Sequence, residues 1–318
     1  MCPKGKCSSP AGLTLPIFRN KGPETLPKFQ ASGVDCGSSA CVIADHGDTA
    51  TCALQERDEA IHSMTQELFD LAGRTALVTR AAQGLGFAMA TGLAEAGAQV
   101  VLNDIQEDKL RSEVARLAAA GLRVRACPFD VSASAQVREC VPAIEREMGP
   151  IHILVNNAGI HRRGPIEELH EGSWRDVLDT NLTAAFLMAK HVVPGMIERR
   201  SGKIVNICSV MSEVGRPTVA AYMASKGGLK MLTKAMAVEW AKYNIQVNGI
   251  GPGWMATEMN RPLMANPQLD AWVRSRVPAG RYGDPLEMAG AVVYLASRAS
   301  DFVTGQIIYL DGGTLAAL

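Results

Sequence analysis

Tyr222 and Lys226 stand four residues apart in Tyr222-Met223-Ala224-Ser225-Lys226, and Ser209 lies thirteen positions upstream of the tyrosine. On a helix, a spacing of four puts the phenol and the ammonium on one face. A phenol titrates near pH ~10 in water, so it is a poor proton donor or acceptor at neutral pH unless a neighbouring cation stabilises the phenolate. Lys226 is the candidate cation. A phenol, an ammonium and a hydroxyl converging on one oxygen would exchange a proton with an alcohol or a ketone. A lone Tyr-x-x-x-Lys is more often ordinary helix packing than chemistry, so the surrounding elements have to decide.

The run 202–209 is apolar and β-branched and ends in Ser209, which reads as a buried parallel strand with a hydroxyl at its carboxyl end. Ligands of open α/β sheets bind at that edge. Near the start of the periodic sequence, residues 74–79 read as a first strand, Gly84-Leu85-Gly86 as a tight turn, and residues 87–96 as a helix. Bare backbone N–H groups and the positive end of the dipole at such a helix start suit a pyrophosphate. A second strand over 99–104 ends in Asp104, twenty residues beyond Gly84. A carboxylate there can accept the ribose hydroxyls of NAD and repel the 2′-phosphate of NADP. Its structural alternative is an N-cap for a helix over 106–120. Further strands are expected over 122–129, 151–155, 245–250 and 306–313. Long helical patterns run over 174–198 and from 222 to 243, and a shorter one over 284–296. Strands and helices alternate throughout, which predicts an α/β fold: one doubly wound parallel sheet of the Rossmann type with helices on both faces.

The order and spacing of these motifs resemble the short-chain dehydrogenase/reductase family from about Phe69 to the C-terminus. That family has a Ser thirteen positions before its Tyr-x-x-x-Lys. Its nucleotide turn, Thr-Gly-x-x-x-Gly-x-Gly, corresponds to Thr79-Arg80-Ala81-Ala82-Gln83-Gly84-Leu85-Gly86, with Arg80 in place of the first glycine. A side chain there can weaken cofactor binding, reach the phosphates, or point to solvent. Asn156-Asn157-Ala158-Gly159 matches the family's Asn-Asn-Ala-Gly, and Pro252-Gly253 through Thr257 matches its Pro-Gly-x-x-x-Thr.

The resemblance implies hydride transfer between NAD or NADP and an alcohol or ketone, with roles for individual residues. Tyr222 exchanges the proton, Ser209 holds the substrate oxygen, Lys226 lowers the phenol pKa and grips the nicotinamide ribose, and Asn181 links Lys226 to solvent through water. Arg80, Gly84, Leu85 and Gly86 line the dinucleotide, Asp104 its ribose, and Asp130 and Val131 its adenine. Asn157, Ala158 and Gly159 leave it room at the split in the sheet, and Pro252, Gly253 and Thr257 approach the nicotinamide. The Pro-bearing segment 258–281 resembles a substrate lid. Four stretches, 156–163, 207–213, 244–250 and 278–285, draw the chain toward family members that act on sugar acids and polyols. Arg163 is then the candidate carboxylate clamp and Glu213 the acceptor for sugar hydroxyls. A 3-oxoacyl-(acyl carrier protein) reductase is the alternative within the fold, and a nucleotide sensor without turnover the alternative outside it. The family is usually tetrameric through its two long helices, so a homotetramer is expected.

Lys and Arg balance Asp and Glu at 32 each among 318 residues, which argues against nucleic acid or an anionic membrane as the main partner. No apolar run approaches a membrane span and no secretory apolar core follows Met1, so cytoplasmic residence with reduced cysteines is the default expectation. Five of the eight cysteines fall in the first 52 residues without paired histidines, so no metal site is expected. Residues 1–63 are rich in Pro, Gly, Ser and Thr without a sustained period and read as a disordered extension, a regulatory or targeting tail being the alternative, with residues 64–318 as the enzyme domain.

Overall fold

The computed structural model describes residues 65–317; the extension expected over 1–63 and its boundary at Met64 lie outside the described residues. Seven parallel strands form one sheet in the order β3-β2-β1-β4-β5-β6-β7. They are β1 (Thr75–Val78), β2 (Gln99–Leu102), β3 (Val124–Ala126), β4 (Ile151–Asn156), β5 (Gly202–Ile207), β6 (Ile245–Pro252) and β7 (Ile307–Leu310). This is the Rossmann-type α/β fold that the alternation of elements predicts. The order reverses between β1 and β4, and loops leaving those two strands part there to open a crevice at the carboxyl edge.

The central strands are mostly apolar because both faces are covered, with Asn156, Asn206 and Asn248 as buried polar exceptions. On one face α1 (Gly84–Glu95) and α9 (Glu287–Ala296) pack with Met89, Leu93, Met288 and Val292 against Val78, Val100 and Val155. A Cβ on Gly92 would lie 2.6 Å from the Ala289 Cβ, so these two helices touch nearly backbone to backbone. On the other face, α3 (Ser134–Met148), α5 (Ala184–Glu198) and α6 (Ala220–Trp240) enclose Leu77, Leu154, Ile204 and Val247. The periodic stretch around Cys140 is α3, whose bounds the sequence pattern leaves open; its Val137, Val141 and Ile144 bury at helical spacing despite an internal Pro142. Helix α2 (Glu107–Ala119) flanks β2 and β3.

Two expectations differ in detail. The pattern over 174–198 is not one helix but α4 (Glu171–Leu178), a π-helical turn (Asp179–Thr183) and α5. Asn181 lies in the widened turn, where its side chain serves a neighbouring loop, and such turns recur at functional sites. In the expected lid, Pro262 and Pro267 start helices rather than only breaking them. They occupy the first turns of α7 (Arg261–Met264) and α8 (Pro267–Arg276), where the missing N–H costs nothing, and Asn266 caps α8 through the Gln268 and Leu269 amides. Among the described residues no helix is long and apolar enough to cross a membrane.

Candidate active site

Polar side chains stitch the strand ends together at the crevice. The Thr79 hydroxyl, just past β1, accepts from the Asn157 and Ala158 amides at 2.9 and 3.0 Å. Asn157 Nδ2 returns two bonds of 3.0 Å, to the Thr79 and Arg80 carbonyls. A Cβ on Gly86 would meet that Arg80 carbonyl at 2.3 Å and Asn157 Nδ2 at 2.4 Å, so only glycine fits. One layer deeper, Asn156 donates to Asn206 and Asn206 to Thr233, each at 2.9 Å, tying β4 to β5 and β5 to α6.

The catalytic candidates meet on this frame. Ser209 leaves β5 as the N-cap of a 3₁₀ turn (Val210–Ser212), its hydroxyl accepting from the Met211 amide at 3.1 Å. Ser212 Oγ donates to the Lys226 carbonyl at 3.0 Å, which fixes the turn against α6. Tyr222 and Lys226 share one face of α6, with Lys226 Nζ 5.8 Å from the phenol ring centroid. The ammonium is buried and donates to the Ile207 carbonyl at 2.6 Å. Burial pulls its pKa down to about 8. Asn181 accepts from the Ile160 amide at 2.7 Å and donates to the Ile160 carbonyl and to Ser225 Oγ at 3.0 Å each. Gly159 lies between Asn181 and Lys226; a Cβ there would be 3.5 Å from both Asn181 Oδ1 and Lys226 Nζ.

Burial raises the Tyr222 pKa, with hydrogen bonding from Ser209 and the charge of Arg80 acting the other way. This differs from the expected lowering by Lys226: withdrawal of the phenol from water outweighs the charge of Arg80, and Lys226 is not among the causes of the shift. At neutral pH the phenol therefore carries its proton.

One cavity receives these groups. Arg80, Gly84, Leu85 and Gly86 wall its nucleotide end, and Asn157, Gly159 and Arg163 contribute from the loop after β4. Ser209, Tyr222 and Lys226 line it, with Pro252 from the end of β6 and Gly253 and Thr257 from the loop that follows. Other candidates sit outside its wall. Asn181 and Ala158 support it from behind, through the bonds to Ile160 and Thr79. Asp104 is buried, its two oxygens accepting from the Ala82 and Gln106 amides at 3.2 and 3.0 Å. Asp130 accepts from both the amide and the hydroxyl of Ser132, beside buried Val131. Glu213 is bound by Lys230 and the Tyr309 hydroxyl.

Several cavity residues carry no signal in the sequence pattern. His161 stacks on the Tyr222 ring, centroids 4.9 Å apart and planes within 11°, and its buried Nδ1 has no hydrogen-bond partner among the described residues. Burial, with Arg163 and Arg216 nearby, lowers its pKa, so it is neutral at physiological pH. Arg216 reaches the same wall from the loop before α6, and Trp254 from the loop after β6. His161 falls in the 156–163 stretch that draws the chain toward sugar-acid enzymes, but nothing there marks its stacking on Tyr222, and nothing local marks Arg216.

Charge in the cavity is lopsided. Arg162 pairs with Asp176 at 4.0 Å, but the guanidinium groups of Arg80, Arg163 and Arg216 form no ion pair among the described residues. Glu258, the one carboxylate among the described lining residues, is already engaged by Arg261.

A doubly wound parallel sheet, a glycine turn at a helix start and a Ser, Tyr and Lys converging at the switch point define a dinucleotide-dependent oxidoreductase. The Enoyl-(Acyl carrier protein) reductase family matches residues 81–314. The chain is 48% identical over 252 residues to the 5-keto-D-gluconate 5-reductase of Escherichia coli (strain K12), spanning 79% of this chain and 99% of that one. It is also 48% identical over 257 residues to a 2-dehydro-3-deoxy-D-gluconate 5-dehydrogenase of Formosa agariphila, spanning 80% and 97%. A gluconate 5-dehydrogenase from Burkholderia cenocepacia J2315, solved in complex with NADP and tartrate, superposes with a TM-score of 0.78 at 45% identity, over 80% of this chain and 100% of that one. The chain belongs to the short-chain dehydrogenase/reductase family and is an NAD(P)-dependent oxidoreductase.

Proposed function

We propose that the chain interconverts D-gluconate and 5-keto-D-gluconate, or a close sugar acid, at the cavity around Tyr222. The observation that carries this reading is the set of unpaired arginines there: Arg163 and Arg216 line the same cavity as Ser209 and Tyr222 and form no ion pair with a carboxylate among the described residues. The four stretches singled out in the sequence resemble gluconate 5-dehydrogenase, and the relatives named above act on this substrate class.

Ser209 donates a hydrogen bond to the substrate oxygen, and Tyr222 passes a proton to that oxygen in ketone reduction or takes it in alcohol oxidation. Lys226 holds the nicotinamide ribose and favours the phenolate once the cavity fills. Asn181, through the Ile160 backbone, holds the wall behind Lys226 and orders the path by which water returns the proton. Arg163 clamps the substrate carboxylate. The residues present fit a dinucleotide: Gly84 and Gly86 keep the turn bare, and neither a side-chain cap nor an acidic residue occupies the first turn of α1. When bound, the dinucleotide supplies or accepts the hydride. Asp104 favours NAD, while the charge of Arg80, which interacts with Asp104, tempers that preference. The assembly is a cytoplasmic homotetramer through α5 and α6, which expose Phe186, Met231 and Val238; light scattering of the purified chain tests this.

The decisive experiment is a turnover screen of sugar acids and polyols with both dinucleotides, repeated on Arg163→Ala. The variant should lose efficiency on the sugar acid by about 1.5–3 kcal/mol, the usual range for a hydrogen bond to a charged group. It should lose little on a neutral polyol of equal length. Equal losses on both, or none on either, reject the sugar-acid reading.

A further inference from the structure

Arg216 joins three segments that meet only in the folded chain. It belongs to the loop between the turn that carries Ser209 and helix α6. Its guanidinium lies 4.8 Å from the Trp254 ring centroid and 5.5 Å from that of Trp272. Trp254 follows β6, and Trp272 lies on α8 in the lid. The two indoles meet edge to face, 6.1 Å apart at 84°, and Arg276 covers Trp272 from a second direction at 5.7 Å. Beneath them Val273, Val277 and Tyr282 form a small buried cluster with Trp254 packed on it, separate from the two main cores. The lid helix is therefore fastened to the body through this cluster and through Arg216.

The guanidinium lies over both rings and lines the cavity beside Trp254. Its backbone anchor is weak: the Arg216 amide faces Met223 Sδ at 3.4 Å. Burial, and then the charge of Arg163, lower the Arg216 pKa, and both arginines act on His161, which stacks on Tyr222. Two uncompensated guanidinium groups sharing one cavity repel each other, and an anion between them relieves the repulsion. A carboxylate has two oxygens and can serve both.

We infer that Arg216 is the second prong of the substrate-carboxylate site and the latch through which a bound sugar acid fastens lid helix α8. The inference rests on the sugar-acid reading above and adds a link that reading does not need. A carboxylate held by Arg163 and Arg216 fixes the guanidinium, and the fixed guanidinium holds Trp272 through its ring face. A neutral polyol of the same length fills the cavity without engaging the latch.

The test compares D-gluconate with D-sorbitol on the full chain, reading steady-state kinetics and hydrogen exchange of residues 267–276. In the parent protein D-gluconate should slow exchange in α8 and D-sorbitol should not. Arg216→Gln should raise the KM for D-gluconate at least tenfold, change efficiency on D-sorbitol less than threefold, and abolish the protection of α8. Trp272→Leu keeps both cations and should raise the D-gluconate KM only two- to fivefold while losing the protection, which keeps the test open if Arg216→Gln folds poorly. The latch is overturned, and the sugar-acid reading stands, if Arg163→Ala discriminates acid from polyol but Arg216→Gln weakens both alike. Protection of α8 that survives Arg216→Gln or Trp272→Leu also overturns it. If neither arginine variant discriminates, both readings fall.

Discussion

The two edges of the sheet treat polar groups in opposite ways. At the amino edge, the groups at strand starts are mostly engaged by the chain itself. His152 accepts from the Thr75 amide at 3.0 Å, Lys203 pairs with Asp301 at 2.8 Å, and Arg200 donates to the Lys242 carbonyl at 2.8 Å. At the carboxyl edge two populations coexist. Thr79, Asn156, Asn157, Asn181 and Asn206 are bonded into ties between strands and helices. The guanidinium groups of Arg80, Arg163 and Arg216 have no ion-pair partner among the described residues, and His161 Nδ1 has no hydrogen-bond partner there. Hydrogen-bonded polar groups build most of the frame, although Asn156 Oδ1 lacks a partner among the described residues, and the open groups of Arg80, His161, Arg163 and Arg216 line the cavity.

The comparison breaks if an open group proves structural or a tie proves dispensable. The largest effect should come from Tyr222→Phe, which removes one hydroxyl that opens onto the cavity. Turnover should fall by about 10²–10⁴-fold, the usual worth of a positioned proton donor, with the melting temperature nearly unchanged. A large loss of stability would move Tyr222 into the frame. The structure also sets the sign of the pH profile. Because burial raises the phenol pKa, efficiency should rise with pH for alcohol oxidation, which needs the phenolate, and fall with pH for ketone reduction.

Asn181→Leu should show the reverse emphasis. It removes a side chain that makes three hydrogen bonds and leaves both Ile160 backbone groups open, so it should cost about 1–3 kcal/mol in denaturant unfolding and lower turnover as a consequence. Unchanged stability would show that Asn181 is not a tie.

At the amino edge, burial and the charges of Arg199 and Arg74 lower the His152 pKa from 6.5 to about 4. A histidine whose folded pKa is depressed binds its proton more readily when unfolded. Its favourable contribution is therefore complete above about pH 6.5 and lost as pH falls toward about 4. Because the ring is only half-buried, the loss is about 1–2 kcal/mol after allowance for solvent. His152→Gln should flatten the stability profile across that window and leave turnover at pH 7.5–8 intact; an unchanged profile would remove His152 as its source.

The smallest effect concerns the nucleotide turn. Arg80 adopts φ +52, the left-handed region that favours glycine. Arg80→Gly should stabilise the protein by at most about 1 kcal/mol, since relief of strain is partly offset by the freedom glycine gains when unfolded. It should also tighten either dinucleotide, and Asp104→Ala should shift preference toward NADP. Dinucleotide titrations that show looser binding in Arg80→Gly would make Arg80 a phosphate ligand instead.

Much of this frame is legible along the chain because its determinants are local. A strand covered on both faces is mostly apolar, so β1, β2, β4, β5 and β6 stand out as runs of Val, Ile and Leu with few polar residues. The four-residue interval from Tyr222 to Lys226 fixes a shared helical face by spacing alone, and Ser209 falls at the end of a strand by the same kind of argument. The break at Asp179–Thr183 is not legible, because a π turn preserves the apolar pattern on both sides. Arg162 and Arg163 also look alike in sequence, yet one pairs with Asp176 and the other stays open.

Chain order and residue type alone thus determined the parallel sheet, the glycine turn and the trio Ser209, Tyr222 and Lys226, while the family resemblance marked Arg80 as the turn's exception. Tertiary structure decided what no interval encodes: that His161 stacks on Tyr222, that Glu213 turns to Lys230 and Tyr309, and that Arg216 lies against Trp254 and Trp272. Periodicity reports how one element buries its own face, whereas a side chain's partners depend on which distant elements the sheet order brings beside it.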